Sequence, residues 1–289
     1  MPTLALSTGS LYTYGIARVF ELAAQASFDA VEILVDHRWD SRQPAYLRRL
    51  CQETGLPVAA IHSPFVPYVP AWPHDPLDRL YKSVALAQEL QAGVVVTHLP
   101  LRIRAAKLEF FGARAHAWLL PILLPNQGDY RRFLLNGLAQ FESAQDLCIG
   151  VENMPAKRFL GRRVSIFALN DLERLACVPH VTLDTTHLGT WGLDPLAVYE
   201  RLKMQVVHVH LSNFNGEEHR LPEDGHLPLG NLLQRLVRDG YRGAISLEFS
   251  PDALEAGDEA RALSHLQRAV QFCRKHLSLE EPLAAGAAA

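Results

Sequence analysis

Two hydropathy patterns alternate along this chain. Short, nearly continuous apolar runs rich in β-branched residues are followed by longer stretches in which apolar residues recur every three or four positions. The short runs predict strands buried on both faces, and the longer stretches predict helices with one apolar stripe. In order, the predicted strands are Thr3–Leu6, Ala30–Val35, Pro57–Ile61, Val94–Thr97, Leu147–Val151, Val181–Leu183, Val206–Leu211 and Ala244–Leu247. The predicted helices are Ile16–Ala26, Pro44–Thr54, Leu77–Leu90, Gln127–Gln145, Asn170–Ala176, Pro195–Leu202, Leu229–Arg238 and Glu255–His276. Gly55 suits a left-handed helix end, Asn170 an N-cap, and Pro195 a first helical turn.

Strands that alternate with helices in this way build a parallel sheet with right-handed crossovers. Eight such units without a break in composition predict one α/β domain, a single (β/α)8 TIM barrel over residues 1–278. The Ala-rich end, residues 279–289, is predicted to be a disordered tail. The rival fold, an open doubly wound sheet binding a dinucleotide, lacks its G-x-G-x-x-G after the first strand. A G-x-x-x-x-G-K-[ST] phosphate loop is also missing.

At 289 residues, 48% hydrophobic and 20% charged, the chain has ample core for such a barrel. A net charge of -3 gives no bulk attraction to nucleic acid. The four scattered cysteines, Cys51, Cys148, Cys177 and Cys273, read as buried reduced thiols and hence as a cytoplasmic protein. The amino terminus does not read as a signal peptide, and no apolar run is long enough to span a membrane.

In a barrel of this kind the carboxyl ends of the strands converge on one face, where active sites form. The polar residues at those ends are His62, His98, Glu152, Asp184, His210 and Glu248. His187 follows Asp184 in D-T-T-H, and the loop after the seventh strand adds Asp224 and His226 as D-x-H. Carboxylates gathered from several strands repel one another, and a divalent cation offsets that repulsion. Five histidines with four carboxylates suit zinc or manganese better than magnesium or calcium. Taken singly, each is more simply a turn residue or a salt-bridged carboxylate. Their recurrence at one end of successive strands is what points to a site. His208, two residues before His210, shares its face and reads as a hydrogen-bonded core residue one layer deeper. His37, His74 and His219 read as surface.

These residues resemble the xylose-isomerase-like TIM barrels, the superfamily that joins endonuclease IV with sugar isomerases and epimerases. The resemblance runs from the first strand to Glu248 and is carried by IHSPF, VTHLP, GVENMP, LDTTH, HVHLSN, EDGH and SLEFS. Similarity to endonuclease IV implies three zinc ions on nine side chains, matched here by His62, His98, Glu152, Asp184, His187, His210, Asp224, His226 and Glu248. Similarity to the sugar epimerases implies one manganese or similar ion on Glu152, Asp184, His210 and Glu248, with His187 against the substrate. The resemblance thus implies one to three ions per chain. The chain departs from the nuclease at Met154-Pro155, at His210-Leu211-Ser212-Asn213 and after Gly230. It departs from the ketose epimerases at Arg158, where they carry a further glutamate.

Two activities follow. A metal-dependent sugar or sugar phosphate isomerase or epimerase would move a proton through an enediolate, using Glu152 and Glu248, while His187 holds a substrate oxygen. Arg102, Arg158 and Arg162, with Arg104, Lys157 and Arg163, would grip a phosphate or else form ordinary solvated surface. A zinc-dependent AP endonuclease would use all nine ligands and track DNA with the same basic residues. It would wedge Phe65, Tyr68 and Trp72 into the duplex, although aromatics in this proline-rich segment equally suit a lid over a small substrate. A purely structural metal is disfavoured, because such sites are usually closed and cysteine-rich. The isomerase or epimerase is the preferred expectation, with a small sugar as partner and DNA only under the alternative.

Overall fold

The computed structural model describes residues 1–66, 68–104, 122–123 and 127–278. The predicted tail and the side chain of Arg104 lie outside the described residues. Eight parallel strands close into a barrel. They are β1 (Thr3–Ser7), β2 (Ala30–Leu34), β3 (Val58–His62), β4 (Val94–Thr97), β5 (Cys148–Glu152), β6 (Val181–Asp184), β7 (Val206–Leu211) and β8 (Ala244–Leu247). Each pairs with its neighbour in chain order, and β8 closes on β1 with Ala244 opposite Thr3 and Leu247 opposite Leu6. Each strand is near-continuously apolar because it is covered twice, by the helices outside and by the barrel filling inside. Leu4, Leu6, Val31, Ile33, Ile61, Val95, Ile149, Leu183, Val209 and Ile245 join Phe20, Leu47, Leu80, Leu232 and Leu266 of the helices in one buried cluster.

The helices begin and end where local chemistry stops them. The helix Pro44–Thr54 ends at Gly55, whose φ of 75° is the left-handed conformation that lacks a Cβ penalty in glycine. The short helix Leu172–Leu175 is capped by Asp171, not by Asn170 as expected. Asn170 is already committed: its side-chain oxygen accepts from Met154 N at 2.9 Å and its amide donates to Met154 O at 2.8 Å. The last helix, Glu259–Leu277, starts four residues later than predicted, behind the Asp258 cap. Glu255 cannot begin it, since its φ of 50° is left-handed. All four cysteines are free, but Cys177 is exposed and only Cys273 is fully buried, against the expectation of four buried thiols. Among the described residues no helix is long and apolar enough to cross a membrane.

The barrel filling is unusually polar below the mouth. Ser7, Glu32, Thr182, His208 and Ser246 are all fully buried. Each has a side-chain oxygen or nitrogen without a hydrogen-bond partner among the described residues. Above this layer, at the carboxyl ends, stand the predicted donors.

Candidate metal centre

The two-residue period of a strand puts Gly150 and Glu152, Thr182 and Asp184, and His208 and His210 on the inner face in successive layers. Barrel closure then brings strand ends that are distant in sequence to one place. One ligand atom each from Glu152, Asp184, His210 and Glu248 lie within 4.8 Å of one another. Nδ1 of His210 is 3.0 Å from Glu152, 3.1 Å from Glu248 and 3.8 Å from Asp184. All but Glu248 are buried to about the last percent.

Asp184 divides its oxygens between two tasks. Its Oδ1 accepts from His187 N at 2.8 Å and so caps the helix Thr185–Trp191. Its Oδ2 is buried without a hydrogen-bond partner among the described residues. The cap also explains His187: three residues on, its ring returns to the centre, with Nδ1 3.3 Å from Asp184 and bonded to Asn153 O at 2.9 Å. Asn153 accepts from Asp184 N at 2.8 Å and donates to Asp184 O at 3.0 Å, tying β5 to β6 just where both end.

The electrostatics favour a cation. Burial pushes the Asp184 carboxyl well above its usual range, and repulsion from Glu152 adds to the rise. Burial also opposes charge on Glu152, but His210 and His98 outweigh it and hold that carboxyl well below its usual range. Glu248 follows the same balance, with His210 pulling it down to about 2. Burial, with His219 adding to it and Glu152 opposing it, pushes the His187 imidazole down to about 4, so it is neutral at pH 7. Three clustered carboxylates plus one imidazole nitrogen form a donor set that fits a divalent ion.

His62 and His98 also arrive at the mouth. Nε2 of His98 is 2.9 Å and Nε2 of His62 is 3.6 Å from Oε2 of Glu152. His62 lies flat against His210, with ring centroids 5.5 Å apart, and Phe65 stacks on His98 at 5.3 Å. Tyr68 is exposed, but Trp72 is buried, which removes it from any role as a wedge into a duplex.

The D-x-H loop does not join them. Asp224 is engaged by Arg220 at 2.6 and 2.7 Å and by Asn215 at 3.0 Å. His226 is exposed, and its N donates to Phe214 O at 3.2 Å, folding the segment back on the extension of β7. Gly225 permits that fold, since a Cβ there would stand 2.3 Å from Asn213 Oδ1 and 2.7 Å from Phe214 O. In its place the same loop brings Glu218 and His219, whose ligand atoms form a second cluster with His187. His219, expected at the surface, is half-buried at 5.6 Å from the His187 ring, with a left-handed φ of 59°. Its backbone is pinned by Thr186 Oγ1 and by Ser250 N. Glu218 also meets Lys157 at 3.4 Å. His37 and His74 are exposed as expected, and His208 is the buried, hydrogen-bonded residue one layer down.

Glu32 is the residue that the sequence pattern hides most fully. It sits mid-run in AVEILV on β2, yet its side chain crosses the barrel to His208 at 2.6 Å and His210 at 3.1 Å. A charged residue inside an all-buried strand was the available signal. Of the basic candidates, Arg158 and Arg162 are exposed on an antiparallel ribbon, with Arg158 opposite Arg163 and Phe159 opposite Arg162. Arg102 is exposed and bonds Ile166 O only through its backbone N.

A family model described as xylose isomerase-like TIM barrel matches residues 20–269. An uncharacterized protein of Mycobacterium leprae (strain TN) is 28% identical over 297 residues, covering 95% of this chain and 97% of its own. Among solved structures, the 3-keto-D-glucoside 4-epimerase of E. coli superposes with a TM-score of 0.65 at 16% identity, over 95% of this chain and 100% of that one. The D-allulose 3-epimerase of Methylomonas in complex with D-allulose gives 0.63 at 15% identity, over 95% and 97%. An AP endonuclease, family 2, of Brucella melitensis gives 0.65 at 17% identity, over 94% and 99%. At these identities the structural likeness is one of fold.

Proposed function

The chain belongs to the xylose isomerase-like TIM barrel family, and we propose that within it the protein is a divalent-metal-dependent sugar isomerase or epimerase. The observation that carries this reading is the pair Glu152 and Glu248, both held ionised and both against Nδ1 of His210, at 3.0 and 3.1 Å. Glu152, Asp184, His210 and Glu248 would hold one ion, zinc or manganese by donor type. When bound, such an ion polarises a carbonyl with its neighbouring hydroxyl and makes the carbon-bound proton easier to remove.

The chain's own residues then divide the work. One of the two glutamates removes the carbon-bound proton and the other returns it, through an enediolate. His187, neutral and fixed through Nδ1 on Asn153 O, offers Nε2 to a substrate oxygen. Glu218, His219 and Lys157 stand beyond it as further hydroxyl-binding groups. Phe65, stacked on His98, and His62, stacked on His210, line the mouth beside Glu152. Arg158 is proposed to meet a phosphate if the sugar carries one, whereas Arg162 lies on the other face of the ribbon with Phe159. Arg158 standing opposite Arg163 is a like-charge pair that an anion would relieve.

One observation favours the nuclease reading: His62 and His98 both converge on Glu152, as a second ion would require. The commitment of Asp224 to Arg220 and the exposure of His226 weigh against a third. Solvent deuterium exchange into a panel of ketoses and ketose phosphates, with zinc or manganese supplied, tests the choice. Exchange lost in both Glu152→Gln and Glu248→Gln is expected. Nicking of abasic-site DNA without exchange into any sugar would replace this reading with the nuclease.

A further inference from the structure

Donors at strand ends account for an ion site, but not for the orientation of His210 within it. His210 lies between three carboxylates on its Nδ1 side and Glu32 on its Nε2 side. Oε2 of Glu32 is 3.1 Å from Nε2 of His210 and 2.6 Å from Nε2 of His208. All three side chains are fully buried. We propose that Glu32 is a positioning residue that keeps the His210 proton on Nε2 and turns Nδ1, as a bare donor, toward Glu152, Asp184 and Glu248. The proposal rests on reading those residues as a divalent-ion centre.

The argument is one of donors and acceptors. A neutral imidazole carries one proton, and the partner of one nitrogen decides whether the other can ligate. An ionised carboxylate only accepts, so both imidazoles facing Glu32 Oε2 must donate to it through Nε2. His208 acts as the buttress. Its Nδ1 has no partner among the described residues, so its side-chain hydrogen bond there is the one to Glu32. It stands edge-on to His210, with centroids 5.2 Å apart at 85°, while His62 covers a His210 face at 14°. The ring therefore has one plane, with Nε2–H held on Glu32 and Nδ1 facing the three carboxylates, where a bound ion would take the place of its proton. Glu32 Oε2 meets the two Nε2 atoms at hydrogen-bond lengths, 2.6 and 3.1 Å.

The test uses the full chain stripped by chelator and titrated with zinc alone or manganese alone. Glu32→Gln keeps the shape but lets an amide N–H face His210, which permits the proton to move to Nδ1. Ion affinity should fall about 10- to 100-fold, with the melting temperature of the stripped protein retained. In the zinc-bound protein, imidazole 15N spectra should show His210 protonated at Nε2, and this signature should be lost or mixed in Glu32→Gln. Glu32→Asp keeps the charge one methylene short and should fall between the two; it carries the test alone if Glu32→Gln does not fold. Affinity within twofold of the parent, with the Nε2–H signature intact, would overturn the role of Glu32 and leave the ion centre standing. A parent protein that binds neither ion would overturn the centre itself, and this proposal with it.

Discussion

Gly150 lies on β5 one layer beneath Glu152. A Cβ built there would stand 2.2 Å from Oγ1, 3.3 Å from the backbone N and 3.4 Å from Cβ of Thr182. Ordinary carbon contacts lie near 3.5–4.0 Å, so the first distance is short by roughly 1 Å or more. The Thr182 hydroxyl can swing aside, because it has no hydrogen-bond partner to lose. The backbone N and Cβ cannot, unless β5 and β6 part. Gly150→Ala should therefore show an overpacking cost of about 1–3 kcal/mol, offset by about 0.4–1 kcal/mol from the stiffer unfolded chain. A net loss of about 1–2 kcal/mol is expected, read as a lower urea midpoint at unchanged slope. Thr182→Ala removes the nearest obstacle, so the double variant should be more stable than the sum of the single losses by about 1 kcal/mol. Because β5 also carries Glu152, Gly150→Ala should weaken ion binding, and Thr182→Ala should restore part of it. Losses that add within about 0.5 kcal/mol would refute the steric reasoning.

Asp184→Ala should abolish tight metal binding, measured by elemental analysis after dialysis; an unchanged content would refute its place among the ligands. The double change His62→Ala and His98→Ala should leave one ion bound while weakening substrate, and loss of that ion would move both histidines into the ligand set. Ion binding should release protons. Burial and Glu152 raise the Asp184 carboxyl, while Glu32, Glu248 and Glu152, against burial, raise the His210 imidazole. Those atoms must be unprotonated to ligate, so affinity should fall as pH falls. Calorimetry in buffers of different ionisation enthalpy reads the proton count directly, and a count of zero contradicts the assignment.

The order of elements and six strand-end donors were legible in the sequence, because both follow from period. A strand buried on both faces must be a short apolar run, and the residue where it meets solvent is polar. The chain also wrote His187 into local geometry, since an N-capping Asp184 returns the third residue of its helix to the cap. Tertiary structure decided the rest. Glu32 reaches His210 only because barrel closure sets β2 across from β7, and no spacing along the chain encodes that distance. The loop after β7 has no period to read, so its D-x-H was expected at the mouth and its His219 at the surface, and the structure exchanges them. What separated them were local contacts: Arg220 holds Asp224, Asn213 and Phe214 bind the turn through Gly225, and Thr186 with Ser250 fixes His219 beside His187. Strand ends are placed by a repeating backbone geometry, whereas loop side chains are placed by whichever partners the folded barrel supplies.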